Sequence, residues 1–294
     1  MVAEAQPQLL ALVGAGIARS LSPALHEGEA HRHGMRCLYR LLDIGPVDHA
    51  ADARLEDVLR SASRLGFSGL NITHPYKQLA IPHMNRLAPS ARRIGAVNTV
   101  VFTETGAVGH NTDVHGFGAA LARGLPGAAM GEVVQLGAGG AGSAVAYALL
   151  DLGAQRLWLT DPNLERARGL AKNLNEAAGA DRAQTVTAQE ADARTAGADG
   201  LVNASPVGTE HDLRLPLPKS SLHPQLWVAD VNYHPLWTPL LTTAHAMGCR
   251  VLHGGGMLVH QAAESFRLFT GCEPHTPRML GDFADLTAEV GAHS

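Results

Sequence analysis

Two kinds of apolar pattern alternate along the chain. Short, nearly continuous apolar runs are followed by longer stretches in which apolar residues recur every three or four positions. The first pattern belongs to strands buried on both faces and the second to helices packed by one face, so their alternation predicts an α/β protein. The run at 9–13 ends in Gly14-Ala15-Gly16 and predicts a strand meeting a tight loop. Ser22-Pro23 predicts a helix over 24–33, with Ser22 as N-cap and proline at the first helical position. Beyond it the pattern predicts a strand near 37–42, a helix over 55–65, a strand at 69–72, a helix over 75–87 and a strand at 96–102.

A second block opens with a strand at 133–136 and the glycine-rich turn Gly137-Ala138-Gly139-Gly140-Ala141-Gly142, then a helix to about 152 and a strand at 156–160. The apolar runs at 200–203 and 226–231 predict further parallel strands, with a helix before a last strand near 250–252. Gly124, Pro126 and Gly127 mark the stretch 119–130 as a boundary. An amphipathic helix over 257–269 is expected to return to the first block. Two domains follow: residues 1–118 with 257–294, and residues 119–256 as a doubly wound parallel sheet.

Composition narrows the function. The chain has 294 residues, 46% hydrophobic and 17% charged, as expected of a folded protein rather than a disordered one. With 23 Lys+Arg against 27 Asp+Glu, a net charge of −4 offers no general attraction to nucleic acid or anionic lipid. Cys37, Cys249 and Cys272 are odd in number and lack metal or redox spacing, which points to a reducing, cytoplasmic setting. Residues 1–8 lack the basic and apolar parts of a secretory leader, and no apolar run is long enough to span a membrane. The histidine group His26, His31 and His33 has no partner at a recognised ligand spacing, so no metal is expected.

Candidate chemistry sits at the ends of the predicted strands. Gly137, Gly139 and Gly142 stand at G-x-G-x-x-G spacing between strand and helix, the context in which glycines let backbone approach a pyrophosphate at a helix N-terminus. Asp161, about twenty residues on, is either the acceptor for a ribose hydroxyl or, ahead of Pro162, the cap of the next helix. Its charge favours NAD over NADP, because Leu159-Thr160 supplies no cation for a 2′-phosphate. Arg166 either stacks on adenine or is a solvated helix charge. Thr73 and Lys77 follow a buried strand, and Lys77 in a first helical turn would oppose the macrodipole, so it reads as functional or as an exposed helix lysine. Asn98, Asn111, Thr112 and Asp113 border apolar runs, where turn chemistry competes with a binding role. Ser20 and Ser22 suit a carboxylate, and Gln261 either needs partners in its apolar helix or points outward.

Taken together, Ser20-Leu21-Ser22-Pro23, Asn71-Ile72-Thr73-His74-Pro75-Tyr76-Lys77, Gly95-Ala96-Val97-Asn98-Thr99, Gly109-His110-Asn111-Thr112-Asp113, the turn at Gly137, Asn203-Ala204-Ser205-Pro206, Asp230-Val231-Asn232-Tyr233 and the segment from Gly254 to Gln261 closely resemble the shikimate/quinate dehydrogenase family over nearly the whole chain. The resemblance implies an N-terminal α/β substrate-binding and catalytic domain (1–118 and 257–294) and a Rossmann-type NAD-binding domain (119–256), flanking a cleft. It assigns Ser20 and Ser22 to the substrate carboxylate, and Thr73, Asn98, Asp113 and Gln261 to ring hydroxyls, with Tyr233 lining the pocket. Lys77 and Asp113 match the catalytic pair. Gly137, Ala138, Gly139, Gly140, Ala141, Gly142, Asp161, Arg166, Asn203, Val231 and Gly254 match the cofactor groove. Leu159-Thr160-Asp161 stands where NADP-dependent biosynthetic relatives carry Asn-Arg-Thr, and Gly14-Ala15-Gly16-Ile17 replaces their Gly-Asn-Pro-Ile, so both resemble the NAD-linked quinate/shikimate branch.

The expected chemistry is oxidation or reduction of a ring hydroxyl of shikimate or quinate with NAD, in which Lys77 moves the proton and Asp113 orients it or acts as co-acid. Small-molecule substrates are the expected partners, without nucleic acid or membrane, for a monomer or homodimer. Two rival readings are a non-enzymatic NAD-dependent metabolite sensor, against which Lys77 and Asp113 argue, and a dehydrogenase for an amino-substituted analogue.

Overall fold

The computed structural model describes residues 7–292, so the leader expectation for 1–8 lies largely outside the described residues. The chain divides into two compact units, one comprising residues up to Thr112 and from Val259 onward, the other Asp113–Leu258. The boundary expected at 119–130 instead finds residues 119–124 inside a helix of the second unit.

The first unit begins with β1 (Gln8–Gly14), α1 (Ser22–Arg32), β2 (Cys37–Asp43), α2 (Ala51–Arg64) and β3 (Gly69–Ile72). It continues through β4 (Arg86–Leu87), α3 (Pro89–Ile94), β5 (Thr99–Thr103) and β6 (Gly106–His110). Its sheet runs β2-β1-β3-β5-β6-β4, with β5 antiparallel to both neighbours and the remaining pairs parallel. The apolar stripe of α2, with Leu55, Leu59 and Ala62, closes over Val13, Ile72 and Tyr76.

The second unit holds α4 (Asp113–Gly124), β7 (Glu132–Leu136), α5 (Gly140–Asp151), β8 (Arg156–Thr160), α6 (Leu164–Ala178), β9 (Ala183–Thr185), α7 (Ala188–Thr195), β10 (Gly200–Asn203), β11 (Trp227–Asp230), α8 (Pro239–Ala246) and β12 (Arg250–Leu252). All pairs are parallel in the order β12-β11-β10-β7-β8-β9. That order reverses between β7 and β10, as in a Rossmann-type doubly wound sheet. Two helices then close the chain: α9 (Gly255–Thr270), which starts in the second unit and continues into the first, and α10 (Thr276–Ala292). Phe269 of α9 packs with Leu10, Leu12, Ile17 and Tyr39, and Asp282 of α10 takes both terminal nitrogens of Arg32 at 3.2 and 2.6 Å.

Three local expectations are corrected. No helix spans 75–87; the segment turns irregularly, passes through a short 3₁₀ turn at Ile81–His83 and ends in β4. The cause lies in the backbone, since the Lys77 carbonyl accepts from Val97 N–H at 2.8 Å and Ile81 N–H turns to Gln78, so the single α-type bond from Ala80 N–H to the Tyr76 carbonyl is not continued into a ladder. Ser22 is not a side-chain cap: it lies inside α1, after an N-cap position held by Leu21. Asp161 is not the cap of α6 either, because Asn163 holds that position and accepts from Arg166 N–H at 3.2 Å.

Candidate active site

Strand directions gather the first group of residues. β1, β3 and β6 end, and β5 begins, on the same edge of the first sheet. That edge therefore receives Ser20 and Ser22 after β1, Thr73 and Lys77 after β3, Asn98 before β5 and Thr112 after β6, where open α/β sheets bind ligands. Ser20 and Ser22 hydroxyls lie 3.1 Å apart, and Ser22 N–H donates to Ser20 Oγ at 3.3 Å. Thr73 N–H donates to the Val13 carbonyl at 2.9 Å. A Cβ at Gly14 would stand 2.4 Å from the Thr73 methyl, so the glycine is what admits Thr73 beside β1. Burial, then the charge of Lys77, hold the His74 imidazole below its ordinary range.

Beneath this edge runs a buried polar network. Asn71 accepts from the Tyr39 hydroxyl at 2.8 Å and donates to Ser265 and Thr99 hydroxyls, each at 3.1 Å. Ser265 Oγ lies 2.9 Å from Thr99 Oγ1 and 3.1 Å from Thr112 Oγ1. Asn98 holds Thr112 by accepting its N–H at 2.8 Å and donating to its hydroxyl at 2.9 Å. Asn98 thereby holds the backbone one residue before Asp113. Gln261 is half-buried and accepts from Thr112 at 3.4 Å, so it does not simply point outward. Asn111, by contrast, is occupied with turn chemistry, donating to the Ala96 carbonyl at 3.1 Å. Sequence reasoning missed Ser265, whose signal is its place one helical turn after Gln261 on a face otherwise apolar.

In the second unit Asp113 opens α4, where a carboxylate is favoured by the helix dipole. Tyr233 lies against His234, ring centroids 4.4 Å apart, and burial raises its phenol above the ordinary range.

The glycine turn links β7 to α5. Gly137 has φ +99°, and a Cβ there would meet the Ala204 carbonyl oxygen at 2.5 Å; at Gly142 it would meet the Gly137 oxygen at 2.3 Å. At Gly139 nothing lies within 4 Å, so the N-terminus of α5 faces open space of the kind a pyrophosphate needs. Gln135, fully buried, steadies the turn by donating to the carbonyls of Gly137 and Gly142 at 2.8 Å each. This residue was also missed, although a polar side chain inside an apolar strand was its signal.

Asp161 directly follows β8 and is 7% exposed. Its carboxylate accepts from Ala138 N–H and Asn163 N–H, each at 2.8 Å. It therefore ties the glycine turn to the loop after β8. Arg166 stands 3.5 Å from the same carboxylate, so a cation is present locally after all, brought from α6 rather than from Leu159-Thr160. A cavity of about 440 Å³ adjoins them, lined by Gly137, Asp161, Leu164, Asp192 and Val207 among others.

The remaining assigned residues shape the loops around this turn. Asn203 donates to the Val207 carbonyl at 2.8 Å and accepts from the Ser205 hydroxyl at 2.7 Å, folding the loop after β10. A Cβ at Gly254 would stand 2.2 Å from the Val231 oxygen, so only glycine admits this close approach of the loops after β11 and β12. Among the described residues no group of three or more His, Cys, Asp or Glu is placed to hold a metal, and no helix is long and apolar enough to cross a membrane.

A Rossmann-type unit joined to a mixed α/β unit, with polar residues on one sheet edge and a glycine turn backed by an acid, defines a two-domain dehydrogenase architecture. Residues 12–100 match the shikimate dehydrogenase substrate binding domain and residues 254–280 the shikimate 5′-dehydrogenase C-terminal domain. A shikimate dehydrogenase (NADP(+)) of Streptomyces avermitilis is 54% identical, with 95% of each chain covered. A quinate/shikimate dehydrogenase (NAD(+)) of Corynebacterium efficiens is 45% identical, covering 95% of this chain and 98% of that one. The solved structure of quinate dehydrogenase from Corynebacterium glutamicum in complex with NAD is 44% identical with a TM-score of 0.88, covering 95% of this chain and 99% of that one. The chain belongs to the shikimate/quinate dehydrogenase family.

Proposed function

We propose that this protein is a dehydrogenase that interconverts shikimate with 3-dehydroshikimate, quinate with 3-dehydroquinate, or both, using NAD. The observation that carries the substrate half is the convergence of Ser20, Ser22, Thr73, Lys77 and Asn98 on one sheet edge. In this reading the first unit binds substrate and the second binds the dinucleotide. The Ser20 and Ser22 hydroxyls hold the substrate carboxylate; Thr73, Asn98, Asp113 and Gln261 serve the ring hydroxyls, and Tyr233 lines the same pocket. Lys77 receives the proton of the reacting alcohol and Asp113 orients that lysine. The bound nicotinamide supplies the hydride acceptor.

Asp161 supports NAD as the cofactor. Its carboxylate, already anchored by two backbone N–H groups, retains lone pairs for an unphosphorylated ribose and repels a 2′-phosphate. NADP is the second reading, favoured by Arg166 at 3.5 Å from that carboxylate and by the NADP name of the Streptomyces relative.

Initial rates with shikimate and quinate, each with NAD and NADP, separate these readings. NAD is expected to win by at least about tenfold in kcat/KM, the worth of one charged hydrogen bond. Equal use of NADP would move the assignment to Arg166. Binding of NAD without turnover of either acid would turn the protein into a metabolite sensor.

A further inference from the structure

The cavity beside the glycine turn contains two carboxylates, and only one has partners. Asp161 is engaged by Ala138, Asn163 and Arg166. Asp192 lies on α7, one turn after Ala188, and both residues line the cavity. Asp192 is half-buried and has no hydrogen-bond or ion-pair partner among the described residues. The nearest arginine in sequence, Arg194, lies over the Trp158 ring at 4.0 Å. Burial holds the Asp192 carboxyl above its ordinary range, as expected of an acid that has lost water and gained no donor.

Leu136, Pro162, Leu164, Val207 and Pro216 form the apolar part of the lining. An apolar slot with an acceptor in its wall suits a flat heterocycle that carries an N–H donor. With the ribose at Asp161, the donor left on an adenosine is the amine of its base. We infer that Asp192 accepts a hydrogen bond from the exocyclic amine of adenine and so selects an amino-purine over an oxo-purine dinucleotide. The inference rests on the reading that the second unit binds an adenine dinucleotide. It adds a specificity residue to that reading. An oxo-purine would turn oxygen lone pairs toward the carboxylate, losing the bond and adding repulsion.

Calorimetric titration of the full chain, without substrate, tests this with NAD and nicotinamide hypoxanthine dinucleotide. The wild type is expected to bind NAD at least about tenfold more tightly. In Asp192→Ala the two affinities should come within about threefold, mainly through weaker NAD binding. Because Asp192 holds no neighbour, truncation should leave the melting temperature within a few degrees of wild type, and Asp161→Ala should bind both dinucleotides more weakly while keeping the preference. Equal wild-type affinities, or an Asp192→Ala variant that keeps the full preference, overturn the inference. Failure of the folded wild type to bind NAD overturns it together with the cofactor reading. A preference for NAD that depends on Asp192, without turnover of shikimate or quinate, sustains the inference and removes only the dehydrogenase reading.

Discussion

Lys77 owes its place to its own carbonyl. The bond from Val97 N–H fixes the backbone at 2.8 Å while leaving the side chain's function separable from the fold. No helix forms at Lys77, so no helix dipole acts on it, and its position at the sheet edge is what singles it out. Lys77→Ala keeps the backbone bond, and kcat for shikimate or quinate is expected to fall by about 10²–10⁴ with a smaller change in KM. Steady-state kinetics check this, and a near-normal kcat would remove Lys77 from proton transfer. Asp161 shows the complementary case, in which the side chain is fixed and the neighbouring backbone is what fixes it.

At the level of elements, the cap of α6 can be separated from the carboxylate it adjoins, Asp161. Asn163→Ala removes the side-chain acceptor for Arg166 N–H but retains the backbone N–H that binds Asp161. Stability is expected to fall by about 0.5–2 kcal/mol, read by denaturant titration, with KM for NAD unchanged. A rise in that KM equal to the effect of removing Asp161 would show that the cap also orients the carboxylate. Parallel strands were the legible part of the fold. Runs at 69–72, 156–160 and 200–203 coincide with β3, β8 and β10, because burial on both faces writes continuous apolar sequence, and the run at 250–252 coincides with the partly buried β12. β6, Gly-Ala-Val-Gly-His, and the three-residue β9 gave too little pattern, and the irregular segment after β3 is set by a partner twenty residues away in sequence. The glycine turn was readable because its chemistry is local. Ser265 was not, since its partners Thr99 and Asn71 are separated from it by 166 and 194 residues.

At the scale of the molecule, a buried acid makes the second unit sensitive to pH. Burial pushes the Asp230 carboxyl up to about 6, against hydrogen bonds from Asn203, Asn232 and Thr238 that act the other way. The folded form thus holds a proton at pH values where the unfolded form has released it, so this group's contribution declines as pH rises from about 4 to about 6 and is constant above. All three tryptophans, Trp158, Trp227 and Trp237, belong to the second unit, so their fluorescence reports its unfolding. Between pH 4 and pH 7 the stability of the wild type relative to Asp230→Asn is expected to drop by about 2–3 kcal/mol. A pH-independent difference would mean that Asp230 titrates alike in both states.

The chain leaves the first unit at Thr112 and comes back at Val259, and this fixes an order of assembly during synthesis. When the ribosome has delivered Leu258, every strand of the second sheet has emerged in one uninterrupted stretch. The first unit by then has all its strands but lacks Phe269 against β1 and β2, the Asp282 carboxylate for Arg32, and the hydroxyl that joins Asn71 to Thr99 and Thr112. The nascent core of the first unit must therefore wait, partly open, for residues translated after the second unit, while the second unit, made in one continuous stretch, is free to finish first.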